Sequence, residues 1–141
     1  MAQIIVAAAI IASAITAAPD VTLMARAIGW EAPVYLAPEA DRIAVASTIR
    51  YRMLCRGQSL QDVLFAPGQF STASLLDTDP QGMESLMPLA AEALQWGYDD
   101  LPVKASHFFA TTIEPPYWAR PGQGVIVPGA VQRYFLIDDC K

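Results

Sequence analysis

Histidine and cysteine are scarce in this chain, which has one histidine and two cysteines among 141 residues. A zinc site built from these two residue types needs three or four ligands, so such a site is nearly excluded. A cysteine hydrolase would have to combine His107 with Cys55 or Cys140, and no known local pattern surrounds either cysteine. The sequence therefore argues against zinc chemistry and against thiol catalysis.

Basic residues are also few, with 9 Lys plus Arg against 14 Asp plus Glu, which gives a net charge of −5. Because binding to phosphate groups depends on Lys and Arg, this balance argues against nucleic acid as a partner. Charged residues make up only 16% of the chain and hydrophobic residues 54%. A chain so rich in apolar residues collapses, and its length suits one domain with a hydrophobic core.

The N-terminal segment, residues 4–18, is an uncharged run of Ala, Ile, Val, Ser and Thr. Its 15 residues fall short of the ~20 that span a bilayer. A secretory signal begins with basic residues, but the first basic residue here is Arg26. Two interpretations stay open: a helix packed on the rest of the protein, and an uncleaved export or membrane element. Because Pro19 and Asp20 follow, we divide the chain into an apolar N-terminal helix (1–19) and a main domain (20–141).

Helical spacing of apolar residues dominates the first two thirds of the main domain. Each candidate helix has a start or stop signal, such as the capping box at Ser59 and the glycine at Gly57. Pro38 suits the first turn of one helix and Pro88 that of another. The predicted helices are Thr22–Glu31, Pro38 to Arg56, Ser59 to Phe65 and Ser85 to Gly97.

The last third is predicted to form strands. Residues 105–110 are apolar and typical of a strand, and residues 124–127 and 131–137 alternate around Pro128-Gly129 like a β-hairpin. Helices first and a small sheet last predict an α+β fold, mainly helical with a small C-terminal antiparallel sheet.

Glu31 is the leading candidate for chemistry. Its neighbours Trp30, Ala32 and Pro33 are apolar. A carboxyl beside a tryptophan in an apolar cleft has a raised pKa and can act as a general acid near neutral pH. The alternative is a solvated acidic residue at the end of a helix, which is the commoner situation.

A carbohydrate site is the second hypothesis from the residues. Gln69 offers an amide, and the Tyr117-Trp118 pair offers aromatic faces on which sugars stack. The alternative for both aromatic residues is packing in the core. Arg52 and Arg56 are four residues apart on a predicted helix, and the default expectation for them is a solvated face.

Four segments, in order, resemble the SleB-type cell wall hydrolases, a family that includes spore cortex-lytic enzymes and prophage hydrolases. They are LMARAIGWEA (23–32), IAVASTIRYRM (43–53), VLFAPGQFS (63–71) and ASHFFATTIEPPYWAR (105–120) with VQRYF (131–135). VLFAPGQFS is the most specific match. The resemblance covers about residues 22–137 and leaves out the first 20.

This resemblance implies a lysozyme-like fold and cleavage of the glycan strand of peptidoglycan, with no metal or cofactor. Glu31 matches the family's catalytic glutamate, and a lytic transglycosylase needs only that one carboxyl. A muramidase that activates water would need a second carboxylate. The side chains expected to bind the sugar are Gln69, Phe70, Ser71, His107, Tyr117 and Trp118, and the candidate second carboxylates are Glu39, Asp77 and Asp79.

Such an enzyme would face the periplasm or cell wall, or travel on a virion, with residues 1–18 contacting a membrane or phage-particle subunits. The chain departs from the family at Tyr51, Phe109 and Gln132, where Asn, His and His are usual. These departures favour an alternative from another class of protein. The domain could be an inactive structural component of a phage particle, tail or secretion apparatus that keeps the lysozyme-like fold.

The two cysteines leave a further question open. Cys55 lies near the end of a predicted helix, and Cys140 is the penultimate residue. A disulfide between them would close a loop that contains most of the chain. It would stabilise the folded protein by ~2–4 kcal/mol. The alternative is two separate thiols.

Overall fold

Four α-helices precede a three-stranded sheet in the computed structural model, which describes residues 19–137. The predicted N-terminal segment (1–18) and Cys140 therefore lie outside the described residues. Within them, the order of elements confirms the α+β prediction, mainly helical with a small C-terminal antiparallel sheet. In the described part of the chain, no helix is long and apolar enough to cross a membrane.

Helix α1 covers residues 19–31 and helix α2 covers Glu39–Arg56. Helix α1 already includes Pro19 and Asp20, three residues upstream of the predicted start at Thr22. Helix α2 agrees with its prediction, because Pro38 precedes it and Gly57 ends it in the left-handed conformation at φ 60°. Glycine adopts that conformation without the steric cost that a Cβ brings.

Helix α3 is short, Leu60–Leu64, and the Ser59 side chain accepts a hydrogen bond from the Asp62 backbone N–H at its start. Helix α4 covers Met87–Ala93 and follows a 3-10 turn, so its predicted start at Ser85 and its predicted end at Gly97 are wrong. The Ser85 hydroxyl donates to the Gly82 carbonyl at 2.7 Å and does not cap the helix. This local bond replaces the expected cap.

The sheet contains β1 (His107–Phe109), β2 (Gly124–Val125) and β3 (Arg133–Phe135), with β3 in the centre. Both neighbours are antiparallel to β3, and Phe135 faces His107 on one side and Gly124 on the other. The predicted hairpin around Pro128-Gly129 is confirmed, although each strand is shorter than predicted.

The core lies between α1, α2, α3 and α4. Its fully buried side chains come from every helix and include Met24, Ile28, Ile49, Leu64 and Ala90. Phe108 of β1 packs against this core and also against a smaller cluster around Tyr134. The sheet is thereby held against the helices, and the end of α1 is brought close to it.

Candidate active site

Glu31 is the last helical residue of α1, and two contacts fix its position. The Thr72 hydroxyl donates a 2.5 Å hydrogen bond to Glu31 Oε1. The Gln132 side-chain amide donates to the Glu31 backbone carbonyl at 3.0 Å. These partners follow Glu31 by 41 and 101 residues, so a loop and the sheet meet at the end of α1.

Burial raises the pKa of Glu31 above its ordinary value. The Thr72 hydrogen bond and the nearby Arg52 guanidinium both lower that pKa, but the loss of hydration is the larger effect. A carboxyl with a raised pKa keeps its proton at a higher pH than an exposed glutamate. This property is required of a general acid.

A cavity of about 440 Å³ lies beside Glu31, and we name it the acid cavity. Its volume falls within the range of small-molecule sites. Its lining combines aromatic rings with amide and hydroxyl groups. Its walls include Glu31, Arg52, Gln69, Phe70, Ser71, Phe108, Phe109, Trp118 and Gln132. The structure thus brings Glu31 together with Gln69, Phe70, Ser71 and Trp118, as the sequence predicted.

His107 and Tyr117 line an adjoining space of about 240 Å³, which we name the aromatic cavity. It shares Arg52, Gln69 and Trp118 with the acid cavity. The His107 and Trp118 rings lie 4.9 Å apart between centroids. Tyr117 is 94% exposed, so packing in the core, the alternative for this residue, is excluded. Trp118 is half-buried, and its ring packs against those of His107, Phe109 and Phe135.

The loop that carries Gln69 and Ser71 is attached to α1 at several points. Arg26 forms a salt bridge with Asp79 at 2.8 Å, and the Trp30 indole donates to the Thr78 carbonyl at 3.1 Å. Gly29 leaves space for Pro80, whose ring occupies the position that a Cβ would need. Together with the Thr72 hydrogen bond, these contacts fix one wall of the acid cavity relative to Glu31.

Arg52 is buried, with 3% of its surface exposed, which corrects the expectation of a solvated face. Its Nε donates to the Ser106 carbonyl at 2.6 Å, and its guanidinium lies 5.0 Å from the centre of the Phe70 ring. A cation over an aromatic face is stabilised electrostatically. Arg52 therefore supplies positive charge to both the acid cavity and the aromatic cavity.

Asp41 is a functional-site residue that the sequence did not reveal. It is fully buried in α2, and its carboxylate accepts bonds from the backbone N–H groups of Val131 and Gln132 and from the Tyr134 hydroxyl. Burial and the Asp41 contact raise the pKa of Tyr134. Asp41 therefore holds the segment whose Gln132 side chain contacts Glu31.

The candidate second carboxylates lie elsewhere. Glu39, Asp77 and Asp79 are exposed, and Asp79 pairs with Arg26. Among the described residues that line the acid cavity, Glu31 is the only carboxylate. The structure therefore does not bring any of these three acids to the site.

Two of the three departures from the family pattern lie at the site. Phe109 and Gln132 line the acid cavity, and Gln132 makes the contact to Glu31 described above. Tyr51 is a core residue instead, 1% exposed and 6.0 Å from the Tyr98 ring. The change at Tyr51 therefore affects packing and not the wall of the cavity.

Within residues 19–137, no group of three or more His, Cys, Asp or Glu side chains could hold a metal ion. Comparisons with family models, curated proteins and solved structures found no match to this chain.

Proposed function

We propose that this protein cleaves the glycan strand of peptidoglycan, with Glu31 as the catalytic acid and base. The observation that carries the proposal is the position of Glu31, a carboxyl of raised pKa in a cavity with aromatic walls and amide donors. Sugars are bound by such combinations of apolar faces and fixed hydrogen-bonding groups. The resemblance of residues 22–137 to SleB-type hydrolases, and with it a lysozyme-like fold, supports the same function.

The proposed reaction is that of a lytic transglycosylase. The Glu31 carboxyl donates its proton to the glycosidic oxygen, and the bond from that oxygen to C1 of the muramic acid breaks. The C6 hydroxyl of the same sugar then attacks C1, and the Glu31 carboxylate accepts the hydroxyl proton. The products are a 1,6-anhydro ring and a free hydroxyl on the leaving sugar, and Glu31 regains its starting state.

The lack of a second carboxylate among the described walls of the acid cavity favours this route over hydrolysis. An inverting hydrolase needs a base that activates water, and a retaining one needs a nucleophilic carboxylate. Glu39, Asp77 and Asp79 are exposed outside the cavity. The muramidase alternative therefore has the weaker support.

The decisive experiment is mass spectrometry of purified peptidoglycan after digestion by the wild-type protein and by Glu31→Gln. We expect anhydro-ended fragments from the wild type and a loss of at least about 100-fold in rate for the variant. Glu92→Gln is a matched control, because Glu92 is an exposed carboxylate of α4 that does not line the acid cavity. Reducing ends alone would contradict the transglycosylase route. No release of glycan by the wild type would favour the inactive structural component instead.

The cell wall is the proposed place of action, and residues 1–18 are proposed to contact a membrane or a phage-particle subunit. The support is the apolar sequence of this segment, since burial of apolar surface contributes ~25 cal/mol per Å². A truncated protein without residues 1–18 should still digest purified walls but should no longer lyse cells from inside or join its particle. Unfolding of the truncated protein would show that the segment belongs to the core.

A further inference from the structure

The segment between β1 and Trp118, residues 110–117, borders the acid cavity, and we name it the flap. Ala110, Ile113 and Pro116 line the acid cavity, and Tyr117 lines the aromatic cavity. The flap therefore contributes to the walls of the site, although no step of the reaction proposed above uses Ala110, Ile113 or Pro116.

Both ends of the flap are fixed to the sheet. Phe109, which precedes it, pairs with Arg133 of β3. Trp118, which follows it, has its ring 5.9 Å from that of Phe109 and 5.6 Å from that of Phe135. Because the side chains at its two ends pack together, the flap leaves the sheet and returns to it at nearly the same place, as an Ω-loop does.

Between these ends the flap has few attachments. Within the part of the chain that the structure describes, the hydrogen bonds of residues 110–117 reach no further than Ala119. The Ile113 backbone N–H donates to the Ala110 carbonyl, and the Pro116 carbonyl accepts from the Ala119 N–H. Residues 110–115 are all exposed. A segment with few buried contacts and few hydrogen bonds moves at a low cost in free energy.

Ile113 is the largest side chain that the flap contributes to the acid cavity, and it is 54% exposed. Exposed apolar surface is unfavourable in water, and closure of the flap would bury it. A bound sugar offers a surface against which Ile113 can be buried. A filled cavity therefore favours closure more than an empty one.

The product of the proposed reaction depends on which hydroxyl reaches C1 of the muramic acid after the glycosidic bond breaks. If the C6 hydroxyl attacks, its proton passes to the Glu31 carboxylate and the anhydro ring forms. If water attacks instead, one of its protons passes to the same carboxylate, and the fragment has a reducing end. Glu31 serves as the base in both reactions, so the choice between them depends on whether water is excluded from the cavity.

We propose that the flap closes over a bound glycan and that Ile113 keeps water away from C1, so that the C6 hydroxyl attacks. This inference rests on the proposed function, and it assigns to Ile113 the selection of the product. The side chain of isoleucine forms no hydrogen bond with water, whereas a serine hydroxyl at the same position would hold a water molecule beside Glu31.

The first test compares the ends of the fragments that the wild type and Ile113→Ser release from purified peptidoglycan, by mass spectrometry. The fraction of reducing ends should rise at least about fivefold in Ile113→Ser, because water enters the cavity. Ile113→Leu should restore the wild-type fraction, since leucine is apolar and of similar size. Ile126→Ser is the matched control, because Ile126 is 91% exposed and lines neither the acid cavity nor the aromatic cavity.

The outcomes of this test separate the inference from the proposed function. Anhydro ends in the same fraction from the wild type and Ile113→Ser would overturn the role of Ile113 and leave the cleavage activity established. No release of glycan by the wild type would refute the proposed function, and the role of Ile113 would be refuted with it.

The second test measures closure without cleavage, by hydrogen exchange of Glu31→Gln with and without purified glycan strands. The backbone amides of residues 111–114 should exchange at least about fivefold more slowly when the strands are bound. The amides of the exposed turn Tyr98–Asp100, which lies outside both cavities, should not change. Unchanged exchange of the flap with the strands bound would show that it does not close and would overturn the inference.

Discussion

The Thr72 hydroxyl donates a 2.5 Å hydrogen bond to Oε1 of Glu31, and this bond joins the loop after α3 to the end of α1. The donated bond favours the ionised carboxylate and lowers its pKa, whereas burial raises it by more. The proton affinity of Glu31 is therefore set by burial, which is opposed by the Thr72 hydrogen bond and the Arg52 charge. The hydrogen bond can be removed by a single substitution.

Thr72→Val should raise the pKa of Glu31 further, because valine keeps the shape and removes the donor. The alkaline limb of the pH–activity profile should move to higher pH, since the protonated acid persists there. Thr78→Val is the control, because the Thr78 hydroxyl donates only to the Leu75 carbonyl. An unchanged alkaline limb in Thr72→Val would show that Glu31 does not determine the profile.

Glu31→Gln should stabilise the protein at neutral pH, although it should abolish the proposed activity. A carboxyl whose pKa is raised in the folded state favours folding when protonated, and this contribution is lost as pH rises through the folded-state pKa. The gain in stability of the Glu31→Gln variant should therefore appear at pH values above the ordinary pKa of glutamate. It should vanish at pH values below that pKa. Thermal unfolding of both proteins from acid to neutral pH measures this difference. Equal stability across that range would contradict the raised pKa.

Gly29→Ala should destabilise the protein by about 1–3 kcal/mol, because the new methyl group would collide with the Pro80 ring and lie 2.9 Å from Leu86 Cδ1. Displacement of the loop should also lower activity, because this loop carries Gln69, which lines the acid cavity. Gly122→Ala is the control, because no atom lies within 4 Å of a Cβ there. Urea unfolding gives the free energies of unfolding of both variants. Similar values for the two would refute the close packing of Gly29 against Pro80.

Asp41→Asn should lower the free energy of unfolding by about 1–3 kcal/mol, because an amide cannot accept all the hydrogen bonds that the buried carboxylate accepts. Tyr134→Phe removes one of those donors and should have a smaller effect. Activity should fall in Asp41→Asn, since Gln132 loses its anchor. Urea unfolding and digestion rates together measure both effects. Wild-type activity in a folded Asp41→Asn protein would show that this anchor does not position Glu31.

Reduction of the disulfide should lower stability by about 2–4 kcal/mol. Cys55 is disulfide-bonded, and Cys140, the predicted partner, lies outside the described residues. Thermal unfolding with and without a reducing agent measures the loss. Titration of two free thiols in the native, unreduced protein would exclude the bond.

Local patterns predicted the helices and strands that carry their own signals. Helix α2 combines a long apolar stripe with Gly57, and the hairpin has Pro128-Gly129 between alternating residues. Helix α4 was placed less well, because Ser85 forms a local turn with Gly82 instead of a cap. A serine at such a position satisfies either geometry, and only the folded chain decides between them.

The site was predicted only in part, for a related reason. Glu31 and Gln69 were identified by their neighbours and by family motifs. Asp41 and Arg52 were not, because a charged residue on a helix is expected to face solvent. Their burial depends on partners far along the chain: Val131 is 90 residues from Asp41, and Ser106 is 54 from Arg52.

One side chain of α2 joins the segment before β1 to the loop after α3. Arg52 bonds to the Ser106 carbonyl beside β1, and its guanidinium lies over the Phe70 ring of the opposite loop. The same guanidinium lines the acid cavity and lowers the pKa of Glu31. Replacement of Arg52 would therefore change the shape of the acid cavity and the acidity of Glu31 together.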